Sequence, residues 1–436
     1  MIFNKKGPLK GDITIPGDKS ISHRAVMIGA IANGTTEITN FLQGADCLST
    51  INCFRQMGID IFNDTAAASV IVKGKGLHGL FKPKDVLDVG NSGTTMRLIS
   101  GILSGQNFPV TITGDESIQK RPMDRIMTPL GKMGVDIKSI HGNDCAPFII
   151  NPTYGHSHTQ ATKLKGIHYN SPVASAQVKS CVLLAGLYAD KATTVTEPAL
   201  SRNHTELMLK EFGASLLTKG NTVTIDPAPV LTGRKINVPG DISSAAYFIA
   251  AGLIVPNSEI RIKNVGINPT RDGIIKVCKS MGAKIRLENI IDQGGEPVAD
   301  LVVSHSKLKG IEISGHIIPS LIDEIPIIAV IACFAKGKTV IKDATELKVK
   351  ESNRIDVMVD NLSAMGADII ATDDGMIING GKPLHGTVVD SKYDHRIAMS
   401  FAIASLMADG ETKIKDAECV NISYPEFYKD LEELIQ

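Results

Sequence analysis

A helix-ending signal recurs along this chain. The segments RQMGIDI, GKMGVDI, KEFGASL, KSMGAKI and SAMGADI place glycines at 58, 134, 213, 282 and 366, each after Met or Phe and each before a short apolar run. Glycine just beyond the last apolar residue suits a left-handed helix C-terminus, and the run behind it reads as a strand. The spacing, roughly 70–85 residues, is long for a solenoid repeat but fits one supersecondary unit. Such a chain is a set of similar α/β units rather than a single sheet.

Each unit reads as a strand, a helix of small and apolar residues, a second strand, and an amphipathic helix ending at the landmark before its apolar run. First helices are expected at 25–32, 95–103, 178–188, 245–253, 327–334 and 397–407, and second helices near 49–57, 123–133, 205–212, 270–281, 354–365 and 426–434. The tripeptide Pro-Gly-Asp occurs at 16–18 and 239–241, each time after a strand pattern (ITI, INV) and before a helix. These are expected to be crossings between two halves. Residues 19–230 would form one three-unit domain, and 1–18 plus 231–436 the other, with crossovers near 16–19 and 231–240 and a cleft between the halves as the usual place for a ligand.

Hydrophobic residues make up 43% of the chain and aromatics only 4%, with no Trp, so the cores must be aliphatic. Lys and Arg balance Asp and Glu, 46 against 46. That argues against a general nucleic-acid or membrane footprint while allowing a local basic cleft. Seven scattered Cys with no CxxC pair suit reduced thiols and a cytoplasmic protein. The N-terminus lacks the apolar run of a signal peptide, and the most apolar stretch, 325–335, is too short to span a bilayer and contains Pro326.

Several motifs put charge at expected helix starts. GDKSISHR (17–24) offers Lys19, Ser20 and Arg24, with Ser20 or Ser22 as candidate caps. Capping alone explains the serines. The cations are unfavourable beside a helix's positive end unless an anion sits there. DVGNSGTTMR (88–97) has Gly90 and Gly93, which allow close approach of backbone N–H groups, or else forms a plain turn capped by Asn91, Ser92 or Thr94. It lacks the GxxxxGK[ST] of a Walker loop. Gly74, Gly76 and Gly79 match GxGxxG, but Lys82-Pro83 follows where a dinucleotide helix should begin, so a turn between strands is expected.

QKRPMDR (119–125) sets Arg121 before Pro122 as the first helical residue, with Arg125 on the same face. SPVASAQVKS (171–180) and SRNH (201–204) supply hydroxyls, Gln177 and Arg202 near helix starts. IDEIP (322–326) sets Asp323 and Glu324 among apolar residues, the profile of a helix cap or of a catalytic base. VKESNR (349–354) packs Lys350, Glu351 and Arg354 into one turn, ordinarily a solvated face, and DHR (394–396) adds Arg396. His156 and His158 in YGHSHTQ read as a solvated loop, since an HxH pair is weak metal evidence.

In this order and spacing, GDKSISHR, LDVGNSGTTMR, QKRPMDR, ASAQVKS, IDEIP, VKESNR and DHRIAMSF resemble the 5-enolpyruvylshikimate-3-phosphate synthase family, from about residue 9 to the C-terminus. The resemblance implies an α/β fold of two domains, each of three βαβαββ units, an inside-out α/β barrel of the enolpyruvyl transferase type with an interdomain cleft. It implies transfer of the enolpyruvyl group of phosphoenolpyruvate to the 5-hydroxyl of shikimate 3-phosphate, with release of phosphate. A cytoplasmic monomer is expected, without metal, organic cofactor, nucleic acid or membrane.

By the same resemblance Lys19, Gly93, Arg121, Gln177, Arg354 and Arg396 match phosphoenolpyruvate positions. Lys19, Ser20, Arg24, Ser175, Gln177, Arg202, Asp323 and Lys350 match shikimate-3-phosphate positions. Asp323 would take or steer the 5-hydroxyl proton, and Lys19 or Glu351 would manage the proton of the methylene carbon. The chain departs from many members at Ala176, between Ser175 and Gln177, and from some at His204, Glu346 and Ile422. Gly93 adds no methyl to the phosphoenolpyruvate pocket, so the expectation leans towards sensitivity to glyphosate, which competes there in this family.

Two other readings remain open at this point. The sister transferase acting on UDP-N-acetylglucosamine shares the architecture and donor, but it carries a Cys in the loop before the match to Arg121, where residues 114–120 read GDESIQK. A six-unit DNA sliding clamp would place cations along helix faces rather than beside glycine turns.

Overall fold

The computed structural model describes residues 1–152 and 164–435. His156 and His158 lie outside them. The chain divides into two compact units, Gly17–Val238 and Met1–Pro16 with Pro239–Gln436. Residues 231–238, expected with the C-terminal half, therefore fall in the other unit. The reason is strand pairing: Lys235–Asn237 runs parallel to Asn33–Thr39, and the Asn40 side-chain amide donates to Val238 O at 2.8 Å.

The unit Gly17–Val238 carries α1 (Lys19–Ala30), α2 (Ala45–Gln56), α3 (Gly93–Leu103), α4 (Asp124–Lys132), α5 (Ala176–Gly186) and α6 (His204–Glu211). The other carries α7 (Ile242–Ile254), α8 (Gly273–Ser280), α9 (Ile325–Cys333), α10 (Arg354–Ala364), α11 (His395–Ser405) and α12 (Phe427–Leu434). Every expected helix overlaps one of these. The first helices begin earlier than apolar periodicity suggests, at residue 19 rather than 25 for α1 and 395 rather than 397 for α11. The first residues of these two, Lys19-Ser20 and His395-Arg396, are polar, so a hydrophobic pattern cannot register them.

The landmark glycines do what their position predicts. Gly58, Gly134, Gly213, Gly282 and Gly366 all have φ between 84° and 105°. At the first, Gly58 N–H donates to Arg55 O at 3.0 Å and Ile59 N–H to Phe54 O at 3.1 Å. The other four repeat this pairing, which satisfies the last carbonyls of α4, α6, α8 and α10. A side chain at φ near 90° would be strained, which is why glycine recurs there.

Among the described residues the strands form small mixed sheets, five of four strands and one of three. In the sheet served by α3 and α4, Leu87–Asp88 runs parallel to Val110–Thr113, which pairs antiparallel with Phe148–Asn151, and Asp136–Ser139 closes the edge. Two sheets take a strand from far along the chain. Lys235–Asn237 completes the sheet of α1 and α2, while Lys10–Thr14 runs parallel to Glu259–Gly266 beside α7. The three-stranded sheet borrows Ile2–Phe3, which pairs antiparallel with Thr412–Lys415.

Each unit has its own aliphatic core. The first helices are nearly engulfed: every residue of α7 and of α9 is buried. The second helices bury one face, as in α4, where Ile126, Pro129 and Leu130 are inside. Since α7, α9 and α11 pack on one another, as do α3 and α5, side chains at the starts of the central helices come within reach of each other.

Candidate active site

In the unit Gly17–Val238, Asp18 caps α1 by accepting from Ile21 N–H at 2.9 Å, a role expected of Ser20 or Ser22. Asp18 precedes the helix, so its carboxylate reaches the free N–H groups that a residue inside the first turn cannot. Lys19 is the first residue of α1 and pairs with Asp46, at the start of α2, at 2.9 Å. Half-buried Ser20 lends its carbonyl to Arg24 Nη1 at 2.9 Å. Arg24 is buried, donating from Nε to Thr205 Oγ1 at 2.6 Å and from Nη2 to Ser180 Oγ at 3.0 Å. This ties the starts of α1 and α6 to α5.

His23, fully buried on α1, lies 2.7 Å from Thr50 Oγ1, which in turn lies 2.7 Å from Thr95 Oγ1 on α3. Burial pushes its imidazole down to about 3, with Lys19 and Arg24 acting in the same direction against Asp46. It therefore adds no cation at neutral pH.

Ser92 caps α3 by accepting from Thr95 N–H, which leaves Gly93 as the first helical residue. A Cβ on Gly93 would lie 2.9 Å from Arg97 Nη1 and 3.4 Å from Arg121 Nη1, so the two guanidinium groups crowd the space above this backbone. Arg121 donates from Nη2 to Asn91 Oδ1 at 2.8 Å and Ser117 Oγ at 3.1 Å. It is not followed by a helix starting at Pro122: residues Ile118–Lys120 form a 3-10 turn, Arg121 is extended, and α4 begins at Asp124. A residue before proline is driven out of the helical region, which accounts for the delay.

Gln177, near the start of α5, accepts from Arg97 Nη1 at 2.8 Å and donates to Thr94 Oγ1 at 3.1 Å. Ser175 is the α5 cap, and its N–H donates to Glu197 Oε1 at 3.0 Å. Half-buried Arg202 lies two residues before α6. Beneath them Lys179 is buried between Glu197 at 2.9 Å and Glu206 at 2.8 Å. Burial opposes its charge, but the two carboxylates more than offset that and raise it above the ordinary lysine value.

In the other unit the structure brings Asp323, Lys350, Glu351, Arg354 and Arg396 into one cluster. Asp323 sits on a single 3-10 turn leading into α9. Its Oδ1 lies 3.5 Å from Lys350 Nζ and 3.4 Å from Arg354 Nη1, and its Oδ2 lies 3.9 Å from Arg396 Nη2. Arg354, the first residue of α10, is 1% exposed. It donates to Asp394 Oδ2 at 2.8 Å from Nε, and to Glu351 from Nη2. Asp394 caps α11 by accepting from Arg396 N–H at 3.0 Å. Lys350 also pairs with Glu346 at 3.3 Å.

For Arg354 burial disfavours the charged form, but Asp394 and Glu351 outweigh it and hold the group above the ordinary arginine value. Arg396 is raised in the same way, burial opposing and Asp323 prevailing. Both are permanent cations set among carboxylates. An incoming acidic group that pairs with Arg354 competes with Glu351 for the same Nη2.

The supports of these residues lie partly inside the motifs, as Asn91, Arg97 and Lys179 do, and partly outside them, as Asp46, Ser117 and Glu197 do. Asp46 holds Lys19, Arg97 holds Gln177, and Asn91 with Ser117 holds Arg121. The Lys179 triad holds Ser175 through Glu197. Only Lys179 had a signal of its own: a lysine inside the apolar run QVKSCVLLAG needs a buried carboxylate.

A family model described as EPSP synthase (3-phosphoshikimate 1-carboxyvinyltransferase) matches residues 3–431. The chain is 59% identical over 430 residues to the 3-phosphoshikimate 1-carboxyvinyltransferase of Thermoanaerobacter pseudethanolicus, with 99% of each chain covered. It is 55% identical over 428 residues to the enzyme of the same name from Brevibacillus brevis, with 98% of each covered. Among solved structures it resembles EPSP synthase from Acinetobacter baumannii, with a TM-score of 0.88 and 45% identity over 100% of this chain and 97% of that one. The enolpyruvyl transferase NikO from Streptomyces tendae, at 19% identity and a TM-score of 0.80 over 99% of this chain and 96% of that one, shares the fold.

Proposed function

The chain belongs to the EPSP synthase family, and from that premise we propose that its two sets of helix-start residues bind the two substrates and move the protons of the reaction. The enzyme transfers the enolpyruvyl group of phosphoenolpyruvate to the 5-hydroxyl of shikimate 3-phosphate and releases phosphate. The two competing readings, a transferase for UDP-N-acetylglucosamine and a DNA clamp, fall with the family assignment.

The observation that carries the residue assignment is the cluster in which Asp323 faces Lys350, Arg354 and Arg396 within 3.9 Å. Phosphoenolpyruvate offers a carboxylate and a phosphate, which planar guanidinium groups pair with in bidentate fashion. Lys19, Arg121, Arg354 and Arg396 hold those groups, with Gly93 and Gln177 lining the same pocket. Ser20, Arg24, Ser175, Arg202 and Lys350 hold shikimate 3-phosphate, joined by Lys19, Gln177 and Asp323.

In the addition step Asp323 takes the 5-hydroxyl proton as the oxygen bonds to C2, and the methylene carbon C3 receives a proton from Lys19 or Glu351. The tetrahedral ketal then loses that proton from C3 as the C2–O bond to phosphate breaks. Both steps need a placed acid or base. The finer architecture, two three-repeat inside-out α/β barrel domains with a cleft, belongs to this proposal. So do cytoplasmic action as a monomer and independence of metal, organic cofactor and nucleic acid. Among the described residues no helix is long and apolar enough to cross a membrane.

Glu351→Ala tests the division of labour. It removes a proton carrier and also a competitor for Arg354. Steady-state kinetics should show kcat lowered by about 10²-fold, with KM for phosphoenolpyruvate unchanged or lower. A raised KM with unchanged kcat would make Glu351 a binding residue only.

A further inference from the structure

The carboxylate next to Asp323 is the more deeply buried of the two. Glu324 is 1% exposed. Its Oε1 accepts a hydrogen bond from Ser243 Oγ, on the first turn of α7, and lies 3.6 Å from Arg396 Nη1. Its Oε2 has no hydrogen-bond partner among the described residues. Arg396 Nη1 also donates to the backbone carbonyl of Asp323 at 3.0 Å. The guanidinium is thus held by the backbone of one residue and the side chain of the next.

The chain of contacts continues away from Arg396. Ser243 accepts from Arg271 Nη2 at 2.7 Å, and the same Nη2 lies 3.2 Å from Asp241 Oδ1. Asp241 is the α7 cap and the last residue of the second Pro-Gly-Asp crossing. Its own N–H donates to Pro16 O, beside the first crossing, at 2.9 Å. Asp241, Arg271, Ser243, Glu324 and Arg396 therefore form one buried line of alternating charge from the crossing to the reaction cluster. Nothing in the transfer chemistry needs a second acid at 324. A buried carboxylate costs stability unless a cation meets it, and Arg396 is the cation it meets.

We propose that Glu324 is a positioning residue. It fixes the Arg396 guanidinium in the plane that pairs with phosphoenolpyruvate, and Ser243 and Arg271 fix Glu324. This rests on the reading that Arg396 binds that substrate. Glu324 itself touches neither substrate.

Glu324→Gln keeps the size and the Ser243 hydrogen bond while removing the charge that aims Arg396. It is expected to raise KM for phosphoenolpyruvate on the order of 10-fold, with the affinity for shikimate 3-phosphate by calorimetry unchanged in a protein that still unfolds cooperatively. Arg396→Gln should raise the same KM, and adding Glu324→Gln to it should have no further effect. If Arg396→Gln raises KM but Glu324→Gln does not, the positioning role is wrong. If Arg396→Gln leaves KM unchanged, the reading of Arg396 itself fails and the proposal fails with it. Ser243→Ala frees Glu324 without altering either charge and should raise KM about 3-fold. An unchanged KM in a folded Ser243→Ala enzyme would also overturn the proposal, even if Glu324→Gln proved insoluble.

Discussion

Asp323→Ala is expected to lower kcat by about 10³-fold, within the range that a positioned general base contributes. The affinity for shikimate 3-phosphate, measured by calorimetry, should change by less than about 5-fold, because Asp323 is one of several groups assigned to that substrate. The asymmetry follows from the surroundings. Lys350, Arg354 and Arg396 all lie within 3.9 Å of the carboxylate and fix its orientation. Its 3-10 turn stands on α9, whose residues are all buried, so the carboxylate sits on a rigid mount. Asp323→Asn should be as slow as Asp323→Ala, since an amide keeps the shape but cannot take the proton. Near-normal turnover by either variant would remove Asp323 from proton transfer.

Arg354→Met should be the most damaging change to the fold among the charged residues of this cluster. Arg354 is 1% exposed and Asp394 is fully buried, with their closest approach at 2.8 Å. Removing the guanidinium strands Asp394 and strips a partner from Asp323 and Glu351. Breaking a buried pair from one side costs about 3–5 kcal/mol. Urea denaturation should show the unfolding free energy of the affected unit lowered by that amount, seen as a lower midpoint at unchanged slope. A double variant, Arg354→Met with Asp394→Leu, should recover part of the loss, because it removes the stranded charge. A single variant as stable as the parent would show that the pair contributes nothing net, and that Asp394 finds another partner.

What the sequence revealed followed from how local each signal is. The landmark at Gly58 was readable because a left-handed C-cap is decided within six residues, by Phe54 through Ile59. The alternation of buried and amphipathic helices was readable because helical periodicity is local too. Helix starts were less so: α1 opens at Lys19 with Lys-Ser-Ile-Ser, where Ile21 is the one apolar residue of the first turn. The edge at residue 230 was misplaced because it depends on Lys235–Asn237 finding Asn33–Thr39, some two hundred positions away.

The same division holds in the site. Lys19, Asp323 and Arg354 stand in recognisable motifs, so the ordered set pointed to a family. Asp46 holds Lys19, Arg97 holds Gln177 and Glu197 holds Ser175 from other elements at 2.8 to 3.0 Å, pairings that no one-dimensional pattern shows. Glu324 was visible in IDEIP, but its hydrogen bond from Ser243 exists only once α7 and α9 pack.

The most direct test of the whole account is the release of inorganic phosphate by the purified protein. With shikimate 3-phosphate and phosphoenolpyruvate together, phosphate should appear in step with consumption of both, and with either substrate alone none should appear. No release above blank with both substrates, or equal release from phosphoenolpyruvate alone, would contradict an enolpyruvyl transfer to the sugar phosphate.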